Sequence, residues 1–244
     1  MDSGLVARLL ELNRTFYRHF AKEFAATRSG PWPGFTRLLP HLHRTASILD
    51  IGCGNGRLAR FLEDRRQCVS YCGIDSCREL VGVAREILAD SAHAAVELCV
   101  LDVTRDDWTR PLVTRRFDAV LALAVLQHLP SFALRSSVLQ SAAGLLTSDG
   151  ALVMCNWQLS DSEWLARRQV AWKSIGVDQA QLECGDYLLD WRRGGLGYRY
   201  CHRVDEDEAH ALASGAGLWV ADAYYADGPS GDLNHYVVMR GLGV

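Results

Sequence analysis

Three glycines at alternate positions, in Ile48-Leu49-Asp50-Ile51-Gly52-Cys53-Gly54-Asn55-Gly56, follow a short apolar run and precede a helical pattern. A chain turning there from strand to helix must bend sharply and leave room for a ligand that Cβ atoms would obstruct. A pyrophosphate-binding turn reads G-x-G-x-x-G with the anion at the helix terminus, whereas this one reads G-x-G-x-G. Asp50 precedes the turn, and a carboxylate at that point suits a cationic ligand better than a pyrophosphate. Asp75 ends the next apolar run 19 residues after Gly56, close to the ~20-residue offset at which an acid accepts hydrogen bonds from ribose hydroxyls. Asp102 ends a third run in Leu101-Asp102-Val103, where a carboxylate beside backbone groups could read an adenine edge. Singly, each aspartate is an ordinary cap or turn former. Three strand-end carboxylates around one glycine turn point to a nucleoside-containing cofactor.

Those positions require a frame of alternating strands and helices, and the pattern from residue 47 supplies one. Apolar runs at 47–51, 71–75, 96–101 and 117–123 alternate with helical stretches at 56–65, 77–90 and 131–146, and a turn at Asp149-Gly150 leads into a strand at 151–156. Ser76-Cys77-Arg78-Glu79 is a capping-box pattern for the helix at 77–90. Run 117–123 is apolar almost throughout, which predicts a parallel strand covered on both faces. The alternation predicts an α/β fold with an open, doubly wound, mostly parallel sheet. Ahead of it, Leu5, Leu9, Leu10, Leu12, Phe16, Phe20 and Phe24 form a helical stripe over residues 4–27. Pro31 and Pro33 end that helix, and a short helix follows at 33–41.

Residues 157–198 break the alternation. They carry Trp157, Trp164, Trp172 and Trp191, the pairs Arg167-Arg168 and Arg192-Arg193, and little strand pattern. This stretch reads as an insert or lid over the carboxyl ends of the strands. Regular structure resumes at 198–204. Asp205-Glu206-Asp207-Glu208 caps a helix to about Ser214, and closing strands follow at 218–225 and 235–240. The chain thus divides into an amino-terminal helical segment (1–43), a cofactor-binding core (44–156), a substrate-side insert (157–198), and a closing helix and strands of the same domain (199–244).

The 244 residues are 49% hydrophobic and 23% charged, with 21 glycines and six prolines, which excludes collagen-like, low-complexity and disordered classes. No apolar run approaches the ~18 residues a membrane helix needs. The amino terminus lacks the basic-then-apolar pattern of a secretory signal. A net charge of −3, from 26 basic and 29 acidic residues, argues against a wholly basic nucleic-acid binder but leaves room for a local basic stripe. Eight cysteines, none spaced C-x-x-C, and eight histidines without an H-E-x-x-H pair predict reduced thiols, no metal site and a cytoplasmic location.

With its glycine turn and three aspartates, residues 44–156 resemble a class I S-adenosylmethionine-dependent methyltransferase. The resemblance implies a seven-stranded sheet closed by an antiparallel hairpin, with S-adenosylmethionine as cofactor. It sets Gly52, Cys53, Gly54 and Gly56 against the methionine part, Asp75 at the ribose and Asp102-Val103 at the adenine. Leu123-Ala124 then faces the sulfonium and the substrate. Arg28, Asp50 and Ser76 complete the expected cofactor set.

A narrower resemblance lies outside the core. The stretch Phe16-Tyr17-Arg18-His19-Phe20-Ala21-Lys22-Glu23-Phe24-Ala25-Ala26-Thr27-Arg28-Ser29-Gly30-Pro31-Trp32-Pro33 is similar to the leading segment of the tRNA wobble-uridine carboxymethyl methyltransferases, which esterify 5-carboxymethyluridine. Ala124-Val125-Leu126-Gln127-His128-Leu129, Arg199-Tyr200-Cys201-His202-Arg203-Val204 and the turn Gly185-Asp186 are similar to its later segments. Two departures stand near the substrate side. Gln127-His128 replaces two adjacent histidines, and the loop from Gly228 to His235 replaces a Gly-Asn-Trp start of the closing strand.

The resemblance implies tRNA as a partner and, in some relatives, a small activating subunit. A carboxylate acceptor, with a pKa near 4, is already ionised at pH 7 and needs orientation rather than a general base. Arg199, His202 and Arg28 are the candidate orienting groups, since an Arg fork matches a carboxylate. His128 is a candidate substrate-facing residue. Trp32 would stack on a base, Asp186 belongs to the insert turn, and Arg192 and Arg193 would contact phosphate. The other readings are a small-molecule O- or N-methyltransferase, favoured by the acidic balance and the altered closing loop, and a regulatory module that binds the cofactor without turnover.

Overall fold

The computed structural model describes residues 1–28, 30–42, 46–65, 70–91, 95–159 and 167–241. Ser29, Cys68, Trp164 and the division at 43/44 lie outside them. Seven strands form one sheet: β1 (Ser47–Ile51), β2 (Ser70–Asp75), β3 (Ala95–Val100), β4 (Phe117–Leu123), β5 (Leu146–Trp157), β8 (Leu218–Ala226) and β9 (Asn234–Gly241). Their order is β3-β2-β1-β4-β5-β9-β8. β1 runs parallel to β2 and β4, and β4 parallel to β5. β9 is antiparallel to both β5 and β8, giving the expected closing hairpin.

Alternate residues of the central strands feed two different cores, which explains why the apolar runs are continuous. On β4, Val120 and Ala122 join one core, while Ala119, Leu121 and Leu123 join the other. The first core is covered by α5 (Phe132–Ala143) and α6 (Glu206–Gly215), which contribute Val138, Leu139, Leu212 and Ala213. The second is covered by α2 (Phe35–Leu38) and α3 (Arg57–Asp64), through Phe35, Leu38, Leu58 and Leu62. The cap at Asp205 forms as expected, its carboxylate accepting the Glu208 amide at 2.9 Å. Among the described residues no helix is long and apolar enough to cross a membrane, and the cysteines are free thiols.

The amino-terminal helix α1 (Ser3–Ala26) is capped by Asp2, whose Oδ1 accepts the Leu5 amide at 2.9 Å. Its stripe does not simply lie on the sheet. Leu5 and Leu9 pack with Trp172, Leu188 and Tyr200, and Phe16 and Phe20 pack with Trp191. Farther along, Ala21 meets Cys77 and Leu80 at α4 (Arg78–Ile87).

The insert differs from its sequence reading. β6 (Asp186–Trp191) and β7 (Gly197–His202) pair antiparallel as a separate two-stranded sheet. The strand anticipated at 198–204 therefore belongs with the insert rather than with the closing strands, and the division at 198/199 cuts through a hairpin. Gly194 and Gly195, both at positive φ, mark its turn, and that Gly-Gly pair was the available sequence signal.

Candidate active site

All three glycines behind β1 adopt left-handed backbone, with φ +70° at Gly52, +55° at Gly54 and +77° at Gly56. Their surroundings differ. A Cβ on Gly52 would stand 2.3 Å from Val125 Cγ2, whereas one on Gly54 would meet nothing closer than a backbone oxygen at 4.0 Å. Gly54 thus borders open space. Gly56 does not line the cavity, contrary to expectation: a Cβ there would lie 2.9 Å from Leu88 Cδ1 and 3.3 Å from Ala84 Cβ. Its missing side chain lets α3 approach α4. The amides of Gly52 and Cys53 donate to the Ile74 carbonyl at 2.7 and 3.0 Å, which pins the turn to the end of β2.

The resulting cavity at the strand ends brings together Arg28, Trp32, Asp50, Gly52, Cys53, Gly54, Asp75, Ser76, Asp102, Val103, Leu123, Ala124 and His128. Asp75 accepts the Gly54 amide at 3.0 Å through Oδ2 and the Cys77 amide at 2.8 Å through Oδ1. Burial raises its pKa, and the two amides oppose that rise. Each oxygen keeps a lone pair for a further donor, such as a ribose hydroxyl. Asp50 is buried and accepts the Tyr71 hydroxyl. Burial pushes its pKa up to about 7, although the Tyr71 bond favours the ionised form. A cationic ligand would complete the charge balance there. Burial would raise Asp102 as well, but the Thr104 hydroxyl and amide together with Arg14 outweigh it and lower its pKa. Arg14 Nη2 lies 2.9 Å from Asp102 Oδ2, and the Thr104 hydroxyl donates to Oδ1 at 2.7 Å.

A stripe of α1 completes the wall with residues the sequence reading did not assign to the site. Leu10, Asn13, Arg14, Tyr17 and Phe24 all face the cavity, and their spacing is that of one helix face. Asn13 fixes the helix by donating to the Tyr200 and His128 carbonyls at 3.1 and 3.2 Å and accepting the Tyr200 amide at 2.8 Å. A polar stripe beside the apolar one was the signal for these residues. Asn55, Arg57 and Trp157 also line the cavity. The Arg57 guanidinium carbon lies 4.2 Å from the centre of the Trp32 ring.

His128 is held as a neutral imidazole. Its Nδ1 lies 3.1 Å from the Tyr200 carbonyl, which can only accept, so Nδ1 carries the proton. Nε2, 2.8 Å from the Tyr17 hydroxyl, therefore accepts. Burial, and then the charge of Arg199, lowers the His128 pKa to about 3. His128 orients Tyr17 and is not arranged as a base. Gln127, fully buried beside it, accepts the Trp157 amide at 2.8 Å. The residue that replaces a family histidine therefore holds the end of β5.

Arg199 lies one layer behind the cavity, next to Tyr17 and Trp157. It is only 3% exposed, and its Nε and Nη1 have no hydrogen-bond partner. The rings of Trp157, Phe16 and Trp191 surround it at 4.9, 5.2 and 5.7 Å. Burial, followed by the like charge of Arg199, lowers the pKa of nearby Arg28 to about 10.

Besides Arg199, four expected substrate residues are not brought to the cavity. His202 and Asp186 belong to a buried ion network. His202 Nδ1 is 2.6 Å from Asp186 Oδ1 and its Nε2 is 2.7 Å from Glu208 Oε2, so both ring nitrogens are occupied. Arg135 binds Glu208 at 2.6 Å and Glu183 at 2.7 Å in the same network. Glu183, Asp186 and His202 could converge on a metal ion, but Arg135 and the imidazole already meet those carboxylates. Arg192 and Arg193 lie exposed on the insert hairpin, with Arg192 Nε 2.6 Å from Asp190 Oδ2. The altered closing loop also has a structural role. Asp227 accepts the Gly34 amide at 2.7 Å and the side chains of Asn234 and Tyr236 at 2.6 Å, tying the loop that carries Trp32 to β9.

A family model described as a methyltransferase domain matches residues 49–152. A conjectured methyltransferase of Encephalitozoon cuniculi is 29% identical over 208 residues, covering 85% of this chain and 87% of that one. The tRNA (carboxymethyluridine(34)-5-O)-methyltransferase of Xenopus tropicalis is 29% identical over 143 residues, or 59% of this chain, which spans 20% of the frog enzyme's length. Among solved structures, an S-adenosylmethionine-dependent methyltransferase from Methanosarcina mazei superposes with a TM-score of 0.66 at 17% identity, covering 87% of this chain and 99% of that one. Fold, cavity and matched domain define a class I S-adenosylmethionine-dependent methyltransferase. Within that class the chain resembles the tRNA wobble-uridine carboxymethyl methyltransferases.

The cavity fits the cofactor: Gly54 leaves open space, Asp75 keeps acceptor capacity, and Asp50 is a buried carboxylate without an ion pair among the described residues. Replacing Asp75 with alanine is expected to weaken S-adenosylmethionine binding in calorimetry by about 10- to 100-fold, the scale of lost hydrogen bonds to a charged group. Unchanged affinity would contradict the ribose assignment.

Proposed function

We propose that the protein methylates the side-chain carboxylate of a modified tRNA wobble uridine, forming a methyl ester. The observation that carries this reading is a pair of arginines, Arg28 and Arg199, at the cavity wall and just behind it, neither ion-paired with a described carboxylate. When bound, S-adenosylmethionine supplies a methyl group on a sulfonium, already activated for transfer. The acceptor carboxylate is ionised at neutral pH, so the chain must orient it and exclude water. Arg28 lies in the wall for direct contact, and Arg199 reinforces the positive field from behind. Neutral His128 fixes Tyr17 without competing for the anion. The similarity to the frog tRNA enzyme supports RNA as the carrier of that carboxylate.

A small carboxylic acid is the second reading, supported by the net charge of −3. To separate the two, the protein is incubated with methyl-labelled cofactor and total tRNA at two salt concentrations, and the nucleosides are resolved by mass spectrometry. Label in a wobble nucleoside, falling steeply with salt, is the expected result. No label in tRNA alongside turnover of a small carboxylic acid would establish the second reading instead.

A further inference from the structure

A second groove lies between the carboxyl end of α1 and helices α3 and α4, and it shares Arg28, Asn55 and Arg57 with the cofactor cavity. Lys22 and Arg60 stand along it, and Phe61, Val83 and Ile87 give it apolar surface, Ile87 being 43% exposed. Among the described residues Lys22, Arg28 and Arg57 form no ion pair. Arg60 reaches Glu63 and Asp64 only at 3.7 and 3.8 Å, the range of weak exposed pairs. Four cations thus face two acids, Asp64 and Glu86, in a chain whose net charge is −3. The groove therefore carries a local excess of two positive charges.

We infer that this groove holds the backbone phosphates of the RNA next to the nucleoside that enters the cavity. The inference rests on the RNA reading above. Lys and Arg side chains satisfy phosphate oxygens without reading sequence, and apolar surface between them suits sugars and unstacked bases. The shared wall at Arg28, Asn55 and Arg57 makes groove and cavity contiguous, so one strand can occupy both. A free small acid would have no use for the groove.

The test measures anisotropy of a fluorescein-labelled anticodon stem-loop RNA across a salt series, comparing the unaltered protein with Lys22→Ala/Arg60→Ala. Neither residue lines the cofactor cavity, so calorimetric affinity for S-adenosylmethionine should be unchanged. A control pair, Arg110→Ala/Arg116→Ala, removes two exposed cations ahead of β4. The slope of log K against log salt should shrink by about 1.4 in the groove variant, at ~0.7 per phosphate contact on a single strand, and should stay at the unaltered value in the control. RNA binding with an unchanged slope in the groove variant overturns the groove alone. No RNA binding by the unaltered protein overturns the acceptor reading and the groove with it.

Discussion

Gly52→Ala is expected to weaken S-adenosylmethionine binding by about 100-fold, taking ~1.4 kcal/mol per tenfold. Two costs add. A residue with a Cβ at φ +70° costs about 1–2 kcal/mol in the left-handed region. The new Cβ would also stand 2.3 Å from Val125 Cγ2, and overpacking of this kind costs about 1–3 kcal/mol. The turn cannot swing aside without breaking the two amide bonds that Gly52 and Cys53 make to Ile74. Calorimetry of Gly52→Ala, and of Gly52→Ala combined with Val125→Ala, separates the costs. The second substitution should recover the steric part and leave the backbone part. Near-normal affinity in Gly52→Ala alone would show that the turn does not shape the cofactor site.

Arg135→Met is expected to lower stability by about 3 kcal/mol, the lower end of the 3–5 kcal/mol cost of breaking a buried ion pair. The lower end applies because Glu183 is 26% exposed and can recover water. For a chain of this size the melting temperature should drop by about 6–12 °C, at 2–4 °C per kcal/mol, in scanning calorimetry. A drop below about 1 °C would show that the network contributes little. The same network makes stability depend on pH. Burial alone would lower the His202 pKa, but its bonds to Asp186 and Glu208 raise it above the ordinary value. The folded protein therefore holds that proton more tightly than the unfolded chain. This contribution is fully present below the unfolded pKa of about 6.5 and fades as pH rises through the higher folded value. His202→Gln should flatten that decline.

The frame was legible because parallel strands buried on both faces must be apolar throughout. Run 117–123 met that condition. Asp205 caps its helix as read, whereas the capping box read at Ser76 does not form, the helix starting after Cys77 without a side-chain cap. The cofactor half of the cavity was legible for a similarly local reason. A glycine turn and a strand-end acid are defined by neighbouring residues, and Asp50, Gly54, Asp75 and Asp102 all line the cavity. Gly56 was the exception, since its glycine answers a helix packed against it from elsewhere in the chain.

The substrate half depended on contacts between residues far apart in sequence. His202 was a plausible ligand-facing histidine until Asp186 and Glu208 occupied both its nitrogens. Asn13, Arg14 and Tyr17 looked like the polar side of a helix, yet α1 turns them onto the cavity and ties itself to Tyr200.

From its residues alone this chain specified an α/β sheet, a place for a nucleoside cofactor and the carboxylates around it, because backbone geometry and apolar patterning act over a few neighbouring positions. Folding then selected which polar groups remain available in the cavity. Charge, burial and hydrogen-bond satisfaction are settled only by what packs against a side chain. Arg199, buried among three aromatic rings with two nitrogens unsatisfied, acquired that character from the fold.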